Sequence, residues 1–320
     1  MTMRELAAIA NVSVSTVSKA FHDADDVSDE TKKLIFATAK EYGCFGKYYK
    51  GRFSKRVIAI ICPELNSAYY NGYVRRLQNE IEKNGAIAVI SSDHFSIANQ
   101  AELIDYYASF LRVDGLFVFN LRTSLKKGYN IPIISLLGNT DNTVDSVQVD
   151  YEPAIKEAVT YLNGLGHREI AFIGEKLTIG KERLFLSAAE GLAGKYYAVR
   201  SPYRFGEAGA DGIRQILDSG KRPTAIVCAY DDMAIGAIRY LHEKGYSIPE
   251  DMSVIGMDNI EVAKYMEHSL TSIDTSPDEV CALAWDLLQK KMKNCYYRLN
   301  QKIVLSGKLV IRDSTGAAQK

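Results

Sequence analysis

From Val57 onward the chain alternates short apolar runs with segments of helical periodicity: VIAIIC, AIAVIS, GLFVF, IPIIS and VQVD, then EIAFIG, AIVCA and SVIGM. Apolar runs this short and this rich in Val and Ile read as strands buried on both faces, and the helical segments between them as crossovers of a parallel, doubly wound sheet. The stretch 57–274 is too long for one sheet of about five or six strands, and its rhythm restarts, so it predicts two similar lobes. The helix PDEVCALAWDLLQKKMKN should return to the first lobe and QKIVLSGKLVIRD to the second. The expected core is therefore lobe 1 at 57–150 and 275–300, lobe 2 at 151–274 and 301–313, and a tail at 314–320.

The 320 residues suit two or three domains, and 47% hydrophobic with 24% charged residues is a globular composition, not a disordered one. The 39 basic and 39 acidic side chains cancel, so any nucleic-acid surface must be local. No run reaches the length of a membrane span and the N-terminus lacks a signal-peptide pattern; the expectation is a cytoplasmic protein without a membrane partner. Five cysteines, an odd number with no C-x-x-C pair, predict reduced thiols and no zinc site.

Ahead of the core, residues 1–46 read as three short helices. Thr2-Met3-Arg4-Glu5 has the form of a capping box, and Ser28 opens a third helix with Asp29 and Glu30 in its first turn and Gly43 at its end. Its inward stripe is expected to be Leu34, Ile35, Thr38 and Ala39. Between these helices lies NVSVSTVSKAF, which has strand propensity but parses better as a helix capped by Ser13, with Val14, Val17 and Phe21 at i, i+3 and i+7. Helix, tight turn, helix is the geometry that places a second helix in the DNA major groove, where Val14, Ser15 and Lys19 would reach base edges. Residues 47–56 carry five basic side chains and no acid, a cationic linker able to neutralise phosphates.

The order MRELAAIANVSVSTVSKAF, VSDET and EYG resembles the headpiece of the lactose/galactose-repressor (LacI/GalR) family, and the resemblance continues through GLGHREIAFIG, RPTAIVCAYDDMAIGAIRYLHEKGYSIPEDMSVIGMDN, SLTSID and GKLVIRDSTG. It implies a dimeric transcription regulator, with a helix-turn-helix headpiece and a two-lobed periplasmic-binding-protein-like α/β core. Val14, Ser15 and Lys19 match base-reading positions; Thr2, Thr16, Ser18 and His22 match backbone-contacting or packing positions. Arg is commoner at Lys19 and Asn at His22. The family's hinge usually forms a short helix with a Leu wedge; here Lys50, Arg52 and Phe53 occupy the matching stretch, shortened and interrupted by Gly51.

Effectors of such folds bind between the lobes, outside the carboxyl ends of the strands. Tyr69 and Tyr70 follow the first core strand, Asp93 the second, Arg183 opens the helix after IAFIG, and Asp258 follows SVIGM. By resemblance Tyr70, Arg183, Tyr230 and Asp258 match effector-contacting positions, Tyr69 and Asp93 lying near them. Aromatic faces with charged groups suit a sugar or sugar derivative. Plainer roles stand beside these: the tyrosines packing under the rim, Asp93 capping a turn, Asp231 as N-cap of DMAIGAIRYL, His167 as a structural turn residue. Pro153 and Arg183-Leu184-Phe185-Leu186 depart from the family's cleft pattern.

Enzymatic motifs are missing from the sequence: no G-x-S-x-G, no G-x-x-x-x-G-K-[ST], no G-x-G-x-x-G after a strand, no H-E-x-x-H. The reading is a regulator without catalysis, cofactor or metal; a solute-binding sensor without a DNA role is the alternative. A homodimer through the outer helices of lobe 1 is expected, and no heptad repeat follows residue 313 to support a coiled-coil tetramer.

Overall fold

The structure is a computed structural model that describes all residues except 23, 49–54, 112, 126–128, 142, 294–298 and 320, and the side chains of 46 and 47. It divides into two compact units, Met1–Arg56 and Val57–Lys320.

The first unit holds α1 (Met3–Ile9), α2 (Val14–Phe21), α3 (Asp29–Glu41) and a single turn, α4 (Phe45–Tyr48). Hydroxyls of Thr2, Ser13 and Ser28 accept the N–H groups of Glu5, Thr16 and Thr31, and Thr2 with Glu5 closes a full capping box. These caps, with Leu6, Val17, Ala20, Phe21, Ile35 and Ala39 in one buried cluster, override the strand propensity of VSVSTV. Two inward positions are corrected. Val14 is 41% exposed and Leu34 52% exposed. Val14 is the first residue of α2 and its side chain leans back toward the N-terminus, past the packed face; Leu34 lies on the solvent edge of the Ile35-Thr38-Ala39 stripe. The unit also runs past residue 46. Phe45 and Tyr48 lie 6.0 and 5.8 Å from the Phe21 ring, and the Tyr48 hydroxyl donates to the Met1 carbonyl at 2.8 Å. Lys50, Arg52 and Phe53 lie outside the described residues.

The second unit opens with β1 (Val57–Cys62), α5 (Ala68–Lys83), β2 (Ile87–Ser92), α6 (Ile97–Asp105), which runs on as a wider turn to Leu111, then β3 (Gly115–Leu121), β4 (Ile133–Asn139) and β5 (Asp145–Asp150). There follow α7 (Glu152–Gly164), β6 (Glu169–Glu175), α8 (Ile179–Ala188), β7 (Lys195–Ser201), α9 (Phe205–Asp218), β8 (Ala225–Cys228), α10 (Asp231–Glu243), β9 (Ser253–Met257) and β10 (Thr271–Asp274). The chain ends with α11 (Pro277–Lys293), β11 (Lys302–Ser306) and β12 (Lys308–Val310).

Two six-stranded sheets result, β11-β5-β4-β3-β1-β2 and β12-β10-β9-β8-β6-β7, parallel except for β12 against β10. Each is doubly wound with its switch between the first and third strands, β1/β3 in one lobe and β6/β8 in the other. The helix α11 returns to lobe 1, where Val280, Ala284 and Leu288 join its core. The final segment does not belong to lobe 2 alone: β11 pairs with β5 in lobe 1 and only β12 crosses to β10. A lone Gly307 separates them. Its N–H donates to the Asp150 carbonyl, and a Cβ there would press on Ile273 and Ala154, so the crossings at Asp150, Asp274 and Gly307 are bundled together.

Residues 314–316 are likewise no free tail. Ser314 is fully buried, donates to the Val254 carbonyl at 2.6 Å and accepts from Thr271 N–H at 2.8 Å. His167, 1% exposed, has its Nε2 3.0 Å from the Gly316 carbonyl and its Nδ1 2.8 Å from the Thr224 hydroxyl. Burial lowers its pKa and favours the neutral ring, which suits a structural pin.

Candidate functional site

In the first unit, α2 buries Val17, Ala20 and Phe21 and turns its other face to solvent. On that face Ser13, Ser15 and Thr16 form a hydroxyl cluster at 2.7 Å spacings over the first turn. Val14, Ser15 and Lys19 are all exposed, Ser18 and Thr16 half-buried. The Lys19 ammonium is paired with the Asp26 carboxylate from the loop before α3, and the pair holds that carboxyl below its ordinary pKa. His22, past the last turn, has Nδ1 2.7 Å from the Ser18 carbonyl, which leaves Nε2 facing outward. Thr2 is committed to capping α1, its hydroxyl and N–H both engaged with Glu5.

In the second unit, a cavity of about 200 Å³ lies between the lobes at the carboxyl ends of the switch-point strands. Lobe 1 contributes Tyr69 and Tyr70 from the first turn of α5, Phe95, and Asn120 at the end of β3; lobe 2 contributes Tyr151, Lys181, Arg204, Phe205, Tyr230 and Asp258. Helices α9 and α10 bring the last group together. They touch backbone to backbone: a Cβ at Gly209 would sit 1.9 Å from the Met233 carbonyl, and one at Gly236 1.9 Å from that of Gly206. Their N-caps, Arg204 and Tyr230, therefore open side by side on the cleft.

Five residues of the lining, Phe95, Asn120, Leu137, Phe205 and Asp258, have positive φ. Left-handed backbone is costly for side chains such as Phe and Leu and persists where the surroundings enforce it. The Phe205 N–H donates to the Tyr230 hydroxyl at 2.9 Å, and Asn120 Nδ2 to the Tyr70 hydroxyl at 3.0 Å, so both phenols keep their own proton to donate to a ligand. The Tyr69 and Tyr151 hydroxyls bond to each other across the lobes at 2.9 Å.

Asp258 lies against Lys181 at 3.3 Å, and Lys181 also donates to the Ala229 carbonyl at 2.8 Å while its ammonium stands 4.5 Å from the centre of the Tyr151 ring. Burial raises the pKa of Asp258, with Lys181 opposing. Asp231 and Asp232 are also raised, by burial first and then by the Asp258 charge. Asp231 is not the N-cap of α10. It is the first helical residue, and its buried carboxylate takes the Ile260 N–H at 2.8 Å and the Ser272 hydroxyl at 2.6 Å.

Tyr69, Tyr70, Tyr230 and Asp258 thus stand where the sequence placed them, on the cleft. Arg183 does not. The helix after β6 starts at Ile179, four residues earlier than expected, which turns Lys181 into the cavity and leaves Arg183, two residues further round, exposed. Asp93 is fully buried behind the cleft, accepting the Phe95 N–H, the Gln100 amide and Arg122, so its turn-capping role is the one observed. Sequence reasoning missed Lys181, Arg204, Phe205 and Asn120; their common signal is position within a few residues of a strand's carboxyl end. Among the described residues no cluster of His, Cys, Asp and Glu could hold a metal ion, and no helix is long and apolar enough to cross a membrane.

A capped helix-turn-helix unit followed by two doubly wound lobes around a polar, aromatic cleft defines a DNA-binding regulator with a ligand-binding core. Residues 2–44 match the model of bacterial regulatory proteins of the lacI family, and residues 159–315 that of the periplasmic binding protein-like domain. The chain belongs to the lacI family of bacterial regulatory proteins. The HTH-type transcriptional repressor CytR of Escherichia coli K12 is 28% identical over 99% of this chain and 96% of its own length. In fold, the chain is similar to the lac repressor dimer bound to operator and the anti-inducer ONPF (TM-score 0.72, 22% identity, 99% of each chain). It is equally similar to a LacI family regulator from Enterococcus faecium with bound ribose (TM-score 0.72, 22% identity, 82% of this chain and 100% of the other).

Proposed function

We propose that the chain is a transcriptional repressor that binds operator DNA as a homodimer and responds to a small polar effector, a sugar or sugar derivative, held in the cleft of the core. The observation that carries this is the pairing of a solvent-facing α2, with Val14, Ser15 and Lys19 open to base edges, with a separate unit whose inter-lobe cavity is lined by aromatic rings and hydroxyl donors. Relatives support each half: CytR is a repressor, the lac repressor structure holds operator, and the E. faecium regulator holds ribose. The protein then acts by binding, not catalysis, in the cytoplasm where its operator lies. Effector and operator affinities are coupled reciprocally, because a ligand that prefers one state of the core shifts DNA affinity by the same factor that DNA shifts its own.

The test is selection of binding sites from random duplexes by the purified protein, followed by anisotropy titration against a sugar panel. Enriched sites should be palindromic, with half-sites about one helical turn apart. Recovery of no common site, or of sites without two-fold symmetry, sinks the reading.

A further inference from the structure

Among the described residues, each cation lining this cavity is already held by a carboxylate of the chain. Lys181 is paired with Asp258, Arg122, which lines an adjoining space with Tyr70, Phe95 and Asn120, with Asp93, and Arg204 with Glu64. The last pair differs from the others. It crosses the lobes, from the loop after β1 to the N-cap of α9, and it is two-pronged: Arg204 donates from both terminal nitrogens to the two Glu64 oxygens at 2.7 Å each. That fork is the arrangement by which arginine seats a carboxylate or a phosphate of a ligand. The guanidinium is further fixed over the Phe95 and Phe205 rings, 5.2 and 4.6 Å from their centres. Glu175 and Asp232 also line the cavity, and no cation of the lining faces them in an ion pair. The cleft's unmet needs are those of a neutral, hydroxyl-rich ligand: phenolic protons on Tyr70 and Tyr230, and carboxylates able to accept hydroxyl protons.

We propose that Glu64 fills the anion seat of Arg204, excludes acidic ligands such as sugar phosphates and uronates, and leaves the cleft selective for uncharged polyhydroxylated ones. This rests on the cleft being the effector site. An acidic ligand would have to displace Glu64, stranding a carboxylate in a region that already holds Glu175, Asp232 and Asp258. A neutral ligand meets the phenolic protons of Tyr70 and Tyr230 without contesting the pair.

The experiment is calorimetric and thermal-shift titration of the full chain with inorganic phosphate, and with ribose against ribose 5-phosphate and galactose against galacturonate. Wild type, Glu64→Gln and the double variant Glu64→Gln/Arg204→Gln are compared, folding being checked by circular dichroism. Wild type should show no measurable phosphate binding and should bind each acidic sugar more weakly than its neutral partner. Glu64→Gln should gain phosphate affinity on the order of tenfold, the size of one recovered charge-assisted contact, and the double variant should lose that gain. Measurable wild-type binding of phosphate, or of an acidic sugar as tightly as its neutral partner, overturns the proposal, as does a gain that survives in the double variant. The wild-type arm decides alone if a variant does not fold. If the phosphate contrast holds while no neutral sugar binds, anion exclusion stands and the reading of the cleft as a sugar site is what fails.

Discussion

The two binding surfaces of this chain are built on opposite principles. The face of α2 is contiguous in sequence and exposed, and its Lys19–Asp26 ion pair is more than half open to water on both sides. The cleft gathers residues from 67 to 258, and its Lys181–Asp258 pair is almost dry, with side chains 18% and 4% exposed. A surface pair contributes little to stability and can be exchanged for a DNA contact at small cost, whereas a buried pair cannot lose one member without stranding the other. Function and fold are therefore separable on α2 and entangled in the cleft.

Four substitutions test that contrast, from the largest effect down. Asp258→Ala strands Lys181 and puts alanine at a φ of 101°, so core stability should fall by about 3–5 kcal/mol in urea unfolding, with effector response lost and operator binding kept. An unchanged induction curve would remove Asp258 from the site. Lys19→Ala should cost about 1–3 kcal/mol of operator affinity in salt-controlled anisotropy, with thermal stability and effector binding intact. If specific affinity survives, Lys19 does not read a base.

The third concerns pH. A buried acid whose pKa is raised binds its proton more tightly when folded than when unfolded. Its stabilising contribution is complete below the ordinary carboxylate range and is lost as pH rises through the raised value. Asp231→Asn mimics the protonated form and can keep both bonds, accepting from Ile260 N–H and donating to the Ser272 hydroxyl oxygen. The variant should therefore melt about 2–4 °C above wild type at pH 8, a gain that shrinks toward pH 5. A gain that is flat with pH would show that charge is not its origin. Asp26→Asn is the mildest: no measurable change in melting, with slightly tighter and less selective DNA binding from the released Lys19. Weaker binding would mean that Asp26 orients Lys19 productively.

The same contrast explains what the sequence discloses. The capped helices of the headpiece and the core strands buried on both faces were legible, because caps are local and buried parallel strands are continuous apolar runs. Strands β7 and β11 were not: they read KYYAVRS and KIVLS, the second alternating between exposed and half-buried positions along its length. Tyr69, Tyr70 and Asp258 were found because they sit next to strand ends. Lys181 rather than Arg183 lines the cavity because the phase of a helix depends on its first residue, which a short 3-10 turn at Lys176–Thr178 sets here. The Glu64–Arg204 pair joins residues 140 apart in sequence, and no local pattern encodes it.

The split ending of the chain has a consequence for how the protein is made. Strands β5 and β10 each acquire their outer neighbour only from residues 302–310, on either side of Gly307. During synthesis, at about 5–20 residues per second, β5 and β10 stand as the edge strands of their sheets until residues 302–310 have left the ribosome. An open edge is a template for pairing with another chain. Premature termination just before residue 302 thus leaves β5 and β10 as the exposed edges, where β11 and β12 otherwise place short edge strands that carry Lys302 and Lys308.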